Sequence, residues 1–489
     1  MNAALVVFIL GWLLLGLVAL MLPAVAMAAA LAEAGALDAF LLTGGITGFA
    51  GGALVTAFGG QAIVADRKHA LTILLCAWAG IPIFAALPFL ILTPMDWHEA
   101  LFESVSAFTT TGASAFPRLV DVPQSLILWR ALLQWAGGLL TLVSAIAILL
   151  PLYGGEGFEL SRAERVSEAG GSRKQTNYAL RVILPLYAGL TVACLILLLF
   201  ANIPAFDALC LALSTVSTGG FMPRDGTIAL YGSVGAELVL AVFMFLGAVS
   251  IFWTHTLLGG RFASAGASRE PIYVLLAILF GGVVVTTLLW LRFPAIDAAW
   301  FQYVSLGLAA AASLVTTTGF PISEEAFALI PFVLIVLVCA IGAGRLSTAG
   351  GIKVSRLVMM LSQSYNELNL LLFPHSIHPT VRTAGALRQV TIGTIWALFF
   401  LTMLVLALLI LMLSATGIGF EAAMLAAVTA LSNAGPFYEI GRLAHLSADA
   451  PTIWEMSPVA HLLMSAAMIL GRMELLAVLS LARLLLQRE

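Results

Sequence analysis

Four short polar strings break an otherwise apolar chain of 489 residues: TTTGAS, STGGFM, TTTGFP and SNAGPF, with glycines at Gly112, Gly219, Gly319 and Gly435. The intervals between those glycines are 107, 100 and 116 residues. A short Thr/Ser/Asn-Gly segment that recurs four times at nearly one spacing, each time after an apolar helix, is what a fourfold ring of backbone carbonyls around a cation requires. It points to an ion pathway.

The rest of the chain says where that pathway lies. With 61% hydrophobic residues, 10% charged residues and a mean hydropathy of +1.07, it falls far from a soluble domain, which carries about 25% charge. Crossing about 30 Å of hydrocarbon takes about 20 apolar residues as a helix. Ten stretches are predicted to do so: 4–32, 38–60, 70–94, 124–152, 177–201, 233–258, 271–293, 326–360, 386–414 and 456–487. The first is read as a retained span because it lacks a basic leader and a small-residue cleavage site. Shorter pieces at 97–109, 204–216, 298–316 and 420–432 end on the four strings and are predicted as re-entrant half-helices.

The expected architecture is therefore an all-α polytopic membrane protein, a two-helix N-terminal hairpin followed by four helix, pore-helix, filter, helix units around one pseudo-fourfold pore. Boundaries are placed at 1–62 for the hairpin, then 63–155, 156–260, 261–362 and 363–489 for the four units, the third with a broken second helix. Fifteen Lys and Arg fall in one set of alternate loops and five in the other, so both termini are expected in the cytoplasm. Acids concentrate on the opposite face, either as a cation-concentrating vestibule or as ordinary exposed charge.

The half-helices aim their negative ends at the strings, which favours a cation there. The residues expected to hold it are Thr110, Thr111 and Gly112, then Thr218 and Gly219, then Thr317, Thr318 and Gly319, then Asn433, Ala434 and Gly435. The four cysteines stand singly in apolar segments and read as packing residues. His375 and His378 form an HxxH with no third ligand in view. No GxxxxGK[ST] is present, so ATP hydrolysis is not expected, nor is any other enzymatic activity, organic cofactor or nucleic-acid partner. In the eighth span, IGAGRLSTAGGIK at 341–353 reads either as a broken helix lining a cavity or as a close helix contact made by small residues.

Taken together, SAFTTTGAS at 106–114, WRALLQWAGG at 129–138, ALSTVSTGGF at 212–221, VTTTGFP at 315–321, STAGGIKVSR at 347–356, ALSNAGPF at 430–437 and GRMELLAVLSLARLL at 471–485 resemble the Trk/Ktr/HKT superfamily of cation transporters, in particular its TrkH branch. The resemblance spans essentially the whole chain. It implies potassium uptake across the bacterial inner membrane, with a glycine in each filter string accompanying potassium preference. A less selective potassium and sodium transporter, or an ion-coupled symporter, is the alternative.

The resemblance also makes the 341–353 segment a gate below the filter, with Gly344, Arg345, Ser347, Thr348, Gly350, Gly351 and Lys353 in it and Arg472 at the pore constriction beside it. It further implies a homodimer in membrane lipid and a cytosolic nucleotide-binding regulatory subunit of the TrkA type, docked on the loops at 153–176 and 361–388. Arg345 and Leu346 depart from the small residues usual at those positions, and Glu474 is the expected partner of Arg345. Arg472 reads either as a pore residue or as a structural partner of Glu474.

Overall fold

The computed structural model describes residues 3–60, 67–145, 172–260, 268–293, 300–373, 385–447 and 449–473. Among these residues it is helical throughout, with no strand. Helices α1 (Ala3–Ala30) and α2 (Ala36–Ala57) make the N-terminal hairpin. Its inner face, with Leu17, Met21 and Phe40, joins the core that holds Trp78 and Trp129, and the Phe40 ring meets Trp129 edge-on at 6.2 Å.

Each of the four units that follow enters on one helix and returns through a short buried one. The entering helices are α3 (Arg67–Ala85) with its continuation α4 (Leu87–Leu92), then α7 (Ser172–Phe200), α11 (Glu270–Arg292) and α16 (Gly385–Ala415). The short helices are α5 (Trp97–Phe108), α8 (Ala205–Val216), α12 (Trp300–Val315) and α17 (Phe420–Leu431). Twelve residues rise about 18 Å, roughly half a bilayer core, so α5, α8 and α17 stop inside the molecule. Alanine and serine along α5 let it be buried everywhere but Trp97 and Leu101, because small side chains permit close backbone approach.

The returning helices are less regular than the sequence suggests. Unit one returns on α6 (Gln124–Ser144), an uninterrupted span. The span expected at 233–258 is instead α9 (Val234–Ala248) and α10 (Ile251–Leu258), bent by 114°. The span expected at 326–360 is α13 (Glu324–Ala328), α14 (Phe332–Ile341), a twelve-residue loop and α15 (Val354–Leu372). Residues 361–372 are thus helical, where a loop was expected. After α18 (Pro436–His445), unit four returns on α19 (Pro458–Met473), which runs to the limit of the described residues. Seven described helices are long and apolar enough to cross a membrane, eight with the bent pair.

The two irregular returns explain each other. A break in a helix frees carbonyls that need donors when buried. At the α9–α10 bend, Gly247 O accepts from Thr348 N–H (3.3 Å) and from its hydroxyl (3.1 Å), and Ala248 O accepts from Gly344 N–H (3.0 Å). Ile251 N–H, at the start of α10, donates to Leu346 O (3.2 Å). Each broken helix supplies hydrogen bonds that the other has lost.

Candidate functional site

The four strings share one backbone. Thr110, Thr218, Thr317 and Asn433 all lie in the left-handed region, with φ of 52°, 51°, 56° and 50°. The next amide of each reaches back five residues: Thr111 to Ser106 O (2.9 Å), Gly219 to Ser214 O (2.8 Å), Thr318 to Ser313 O (3.2 Å) and Ala434 to Thr429 O (2.9 Å). This is a Schellman-type helix end. Its left-handed residue is ordinarily glycine or asparagine, and a β-branched threonine there is unfavourable. Three threonines hold the conformation because the surrounding structure imposes it.

That shared geometry corrects the sequence register in unit two. Two residues beyond each left-handed position lie Gly112, Gly220, Gly319 and Gly435, so the counterpart of Gly112 is Gly220 and not Gly219. Gly219 matches Thr111, Thr318 and Ala434. Only units one and three therefore end in a Thr-Gly step. The signal was in the sequence: Ser106, Ser214, Ser313 and Thr429 stand six residues before the corrected glycines, while the tandem glycine in STGGFM obscured it.

The strings close on one another in order. A Cβ on Gly112, whose φ is 80°, would stand 1.9 Å from Gly219 O of unit two, and one on Gly220 would stand 2.0 Å from Thr318 O of unit three. Gly319 packs on the Pro436 ring of unit four, and Gly435 N–H donates to Thr111 O of unit one at 2.8 Å. Eleven of the expected site residues are thereby brought together in this ring, Gly219 one position from its expected place.

Side chains tie the strings down at both ends. Thr109 and Thr111 hydroxyls meet at 2.7 Å, as do Thr316 and Thr318 at 2.8 Å. Past the glycines, Ser106 donates to Ala113 O (2.6 Å) and Ser313 to Phe320 O (2.9 Å). Beyond Gly112, the buried Glu103 carboxylate accepts from Ala115 N–H (2.8 Å) and from the Ser114 hydroxyl (3.3 Å). Arg130 Nε lies 2.7 Å from Glu103 as an ion pair, not an aligned hydrogen bond, and its guanidinium covers the Phe221 ring at 3.9 Å. A pair this buried stabilises only with such additional partners.

At the opposite end of the ring lies the 342–353 loop. The Thr218 hydroxyl donates to Thr348 Oγ1 (3.0 Å), and Gly350 N–H donates to the Thr317 hydroxyl (2.9 Å). A Cβ on Gly350 would collide with Ser432 O of unit four. Unit one is reached through Arg472, whose guanidinium donates to Thr109 O, to the Thr110 hydroxyl and to Thr348 O of the loop. The loop is thus joined to the starts of all four strings. Ser347 donates to Gly344 O (2.6 Å), and the Lys353 ammonium folds back onto Ala349 O. Gly351 borders a cavity of about 50 Å³ between the loop, α16, α17 and α19.

Two observations bear on the charged residues here. Arg345 lies against Glu270 at the start of α11: its amide donates to Glu270 Oε1 (2.9 Å) and its Nε is 3.8 Å from Oε2. Seventy-five residues separate the two, and neither reads as a partner in the sequence. Glu474, the partner expected for Arg345 and weighed for Arg472, lies outside the described residues, as do His375 and His378 and residues 153–171 and 374–384 of the two large loops.

Several of the acids on the face opposite the basic loops have partners of their own. Asp207 pairs with Arg224 (2.7 Å), Asp225 accepts from the Leu119 amide (2.9 Å), and Glu439 pairs with Arg442 (2.7 Å). Glu99 caps α5 by accepting from Asp96 N–H (2.8 Å). In the connection before α19, hydrogen bonds from the Thr452 amide and hydroxyl hold the Glu455 carboxyl below the usual carboxylate range. No group of three His, Cys, Asp or Glu able to hold a metal occurs among the described residues. The oxygens offered at the ring are carbonyls and hydroxyls.

Known proteins share this organisation. A family model described as "TrkH: Cation transport protein" matches residues 65–255 and 294–489. The Trk system potassium uptake protein TrkH of Salmonella typhimurium is 30% identical over 426 residues, covering 84% of each chain. The Trk system potassium uptake protein TrkG of Escherichia coli is 27% identical over 417 residues, again covering 84% of each. Among solved structures, the potassium transporter TrkH from Vibrio parahaemolyticus superimposes with a TM-score of 0.81 at 27% identity, covering 98% of both chains. The profile match across both halves, a 30% identical relative and a ring of four matched strings have one reading: the chain belongs to the TrkH family of cation transport proteins.

Proposed function

We propose that this multi-pass membrane protein takes up potassium through the ring of four strings, whose carbonyls replace the ion's water. The observation that carries the reading is the common left-handed turn at Thr110, Thr218, Thr317 and Asn433, each closing a buried half-helix and leading into a segment that faces the next unit. Conduction requires sites weak enough to release the ion, and neutral oxygens meet that requirement better than carboxylates. The expected outcome in liposomes containing the purified chain is potassium and rubidium flux well above sodium flux. Gly112→Ser places a side chain on a left-handed residue against Gly219 O and should abolish the preference. Equal potassium and sodium flux, unaltered by that change, contradicts the proposal.

The 342–353 loop acts as the gate and Arg472 as a charge barrier at its edge. Supporting this are the loop's hydrogen bonds to Thr218 and Thr317 and its link to unit one through Arg472. An arginine at bilayer depth costs roughly 2.5–3.5 kcal/mol on insertion scales, and the carbonyls of Thr109 and Thr348 offset that cost here. Arg472→Gln should raise the basal leak severalfold; an unchanged leak would leave the residue a structural bridge. The charge asymmetry supports cytoplasmic termini in a bacterial inner membrane. The relatives' description as parts of a Trk system supports a further component of that system, which we read as a regulatory subunit of the TrkA type acting on a homodimer.

A further inference from the structure

We propose that Gln134, on the span α6, is a positioning residue of the filter that determines cation preference by standing in for the side chain unit two lacks. The inference rests on reading the four strings as the filter. In units one and three the residue before the glycine, Thr111 or Thr318, locks its string through a hydroxyl pair with the residue two before it. Unit two has Gly219 at that position. Its second tie is missing as well: Ser214, the counterpart of Ser106 and Ser313, makes no side-chain hydrogen bond, where the other two serines reach across the string.

The space left at Gly219 is filled from outside the unit. A Cβ built there would stand 2.4 Å from Gln134 Cδ, 2.6 Å from its Nε2 and 2.6 Å from its Oε1. Gln134 is fully buried, and its Nε2 donates to Gly219 O at 2.8 Å. The amide's orientation is fixed by chemistry, because a carbonyl oxygen only accepts and must face the NH₂ group. The Gln134 Oε1 finds no hydrogen-bond partner, so the contact with Gly219 is what sets this buried amide apart from an apolar side chain of the same size. Gly219 O is also the atom that the Gly112 position faces. Gln134 therefore fixes the carbonyl at the junction of units one and two.

A coupled set of variants in liposomes tests this through the ratio of potassium to sodium flux. Gln134→Ala should lower the ratio about fivefold, the worth of one neutral hydrogen bond, while potassium flux persists. Gly219→Thr alone should disrupt the filter by driving a side chain into the Gln134 amide. The double variant Gln134→Ala/Gly219→Thr should recover the ratio, because the new hydroxyl has the Ser217 hydroxyl two residues before it, as Thr111 has Thr109. If Gln134→Ala lowers yield, Gln134→Met keeps the volume without the donor and gives the same comparison. An unchanged ratio in the donor-free variant, or a double variant as impaired as the two changes combined, overturns the inference. Gly112→Ser, measured alongside, separates the two readings. A ratio altered by Gly112→Ser but not by the donor-free Gln134 variants defeats this inference alone, and a ratio altered by neither defeats the filter reading itself.

Discussion

Units one and three stand opposite each other in the ring, as do units two and four, and the two pairs hold the same backbone by different means. In the first pair, threonine hydroxyls within each string bind one another. In the second, a carboxamide does the holding: Gln134 from α6 in unit two, and in unit four Asn433, which donates to the Thr111 hydroxyl (2.9 Å) and to Met468 O (2.9 Å). The left-handed φ values nevertheless agree within 6° across all four. What the site needs is thus the backbone, and the side chains are interchangeable ways of enforcing it. An internal hydroxyl pair makes a string self-sufficient, whereas an amide ties it to a neighbouring helix.

That difference sets an order of sensitivity. Asn433→Ala should be the most damaging, because it removes the left-handed preference of asparagine together with two buried hydrogen bonds, at about 1 kcal/mol each. Thermal unfolding in detergent should show a clear loss, together with a lower potassium-to-sodium flux ratio. Thr111→Val comes next, since its hydroxyl serves both Thr109 and Asn433 and thus joins the two kinds of unit. Thr318→Val should cost least, about 1 kcal/mol for one neutral pair, with a smaller change in flux ratio. If Thr318→Val proved as severe as Asn433→Ala, the distinction between self-tied and helix-tied strings would fail.

Much of this was legible in the sequence and some was not, for physical reasons. Apolar length marks spans, and a short helix ending on a polar string marks a re-entrant turn, so the half-helices and ring residues could be named from residues alone. The register of unit two was missed because Gly219 and Gly220 are identical in sequence, and only the serine six residues upstream distinguishes them. The 114° bend between α9 and α10 left no trace, since Val249 and Ser250 are not helix breakers. It is stabilised by donors from a loop about a hundred residues away. Likewise Arg345 meets Glu270 only through folding, whereas GAGRLSTAGG announced a broken helix by its small residues.

The central claim is that these four unequal strings form one cation site. Crystals of the chain grown or soaked in rubidium would test it most directly, by the anomalous scattering of the bound ion. The account requires rubidium within the ring, at carbonyl distance from the segments 109–112, 217–220, 316–319 and 432–435, and its loss in Gly112→Ser. Rubidium ordered only at the surface carboxylates, with none inside the ring, would contradict it.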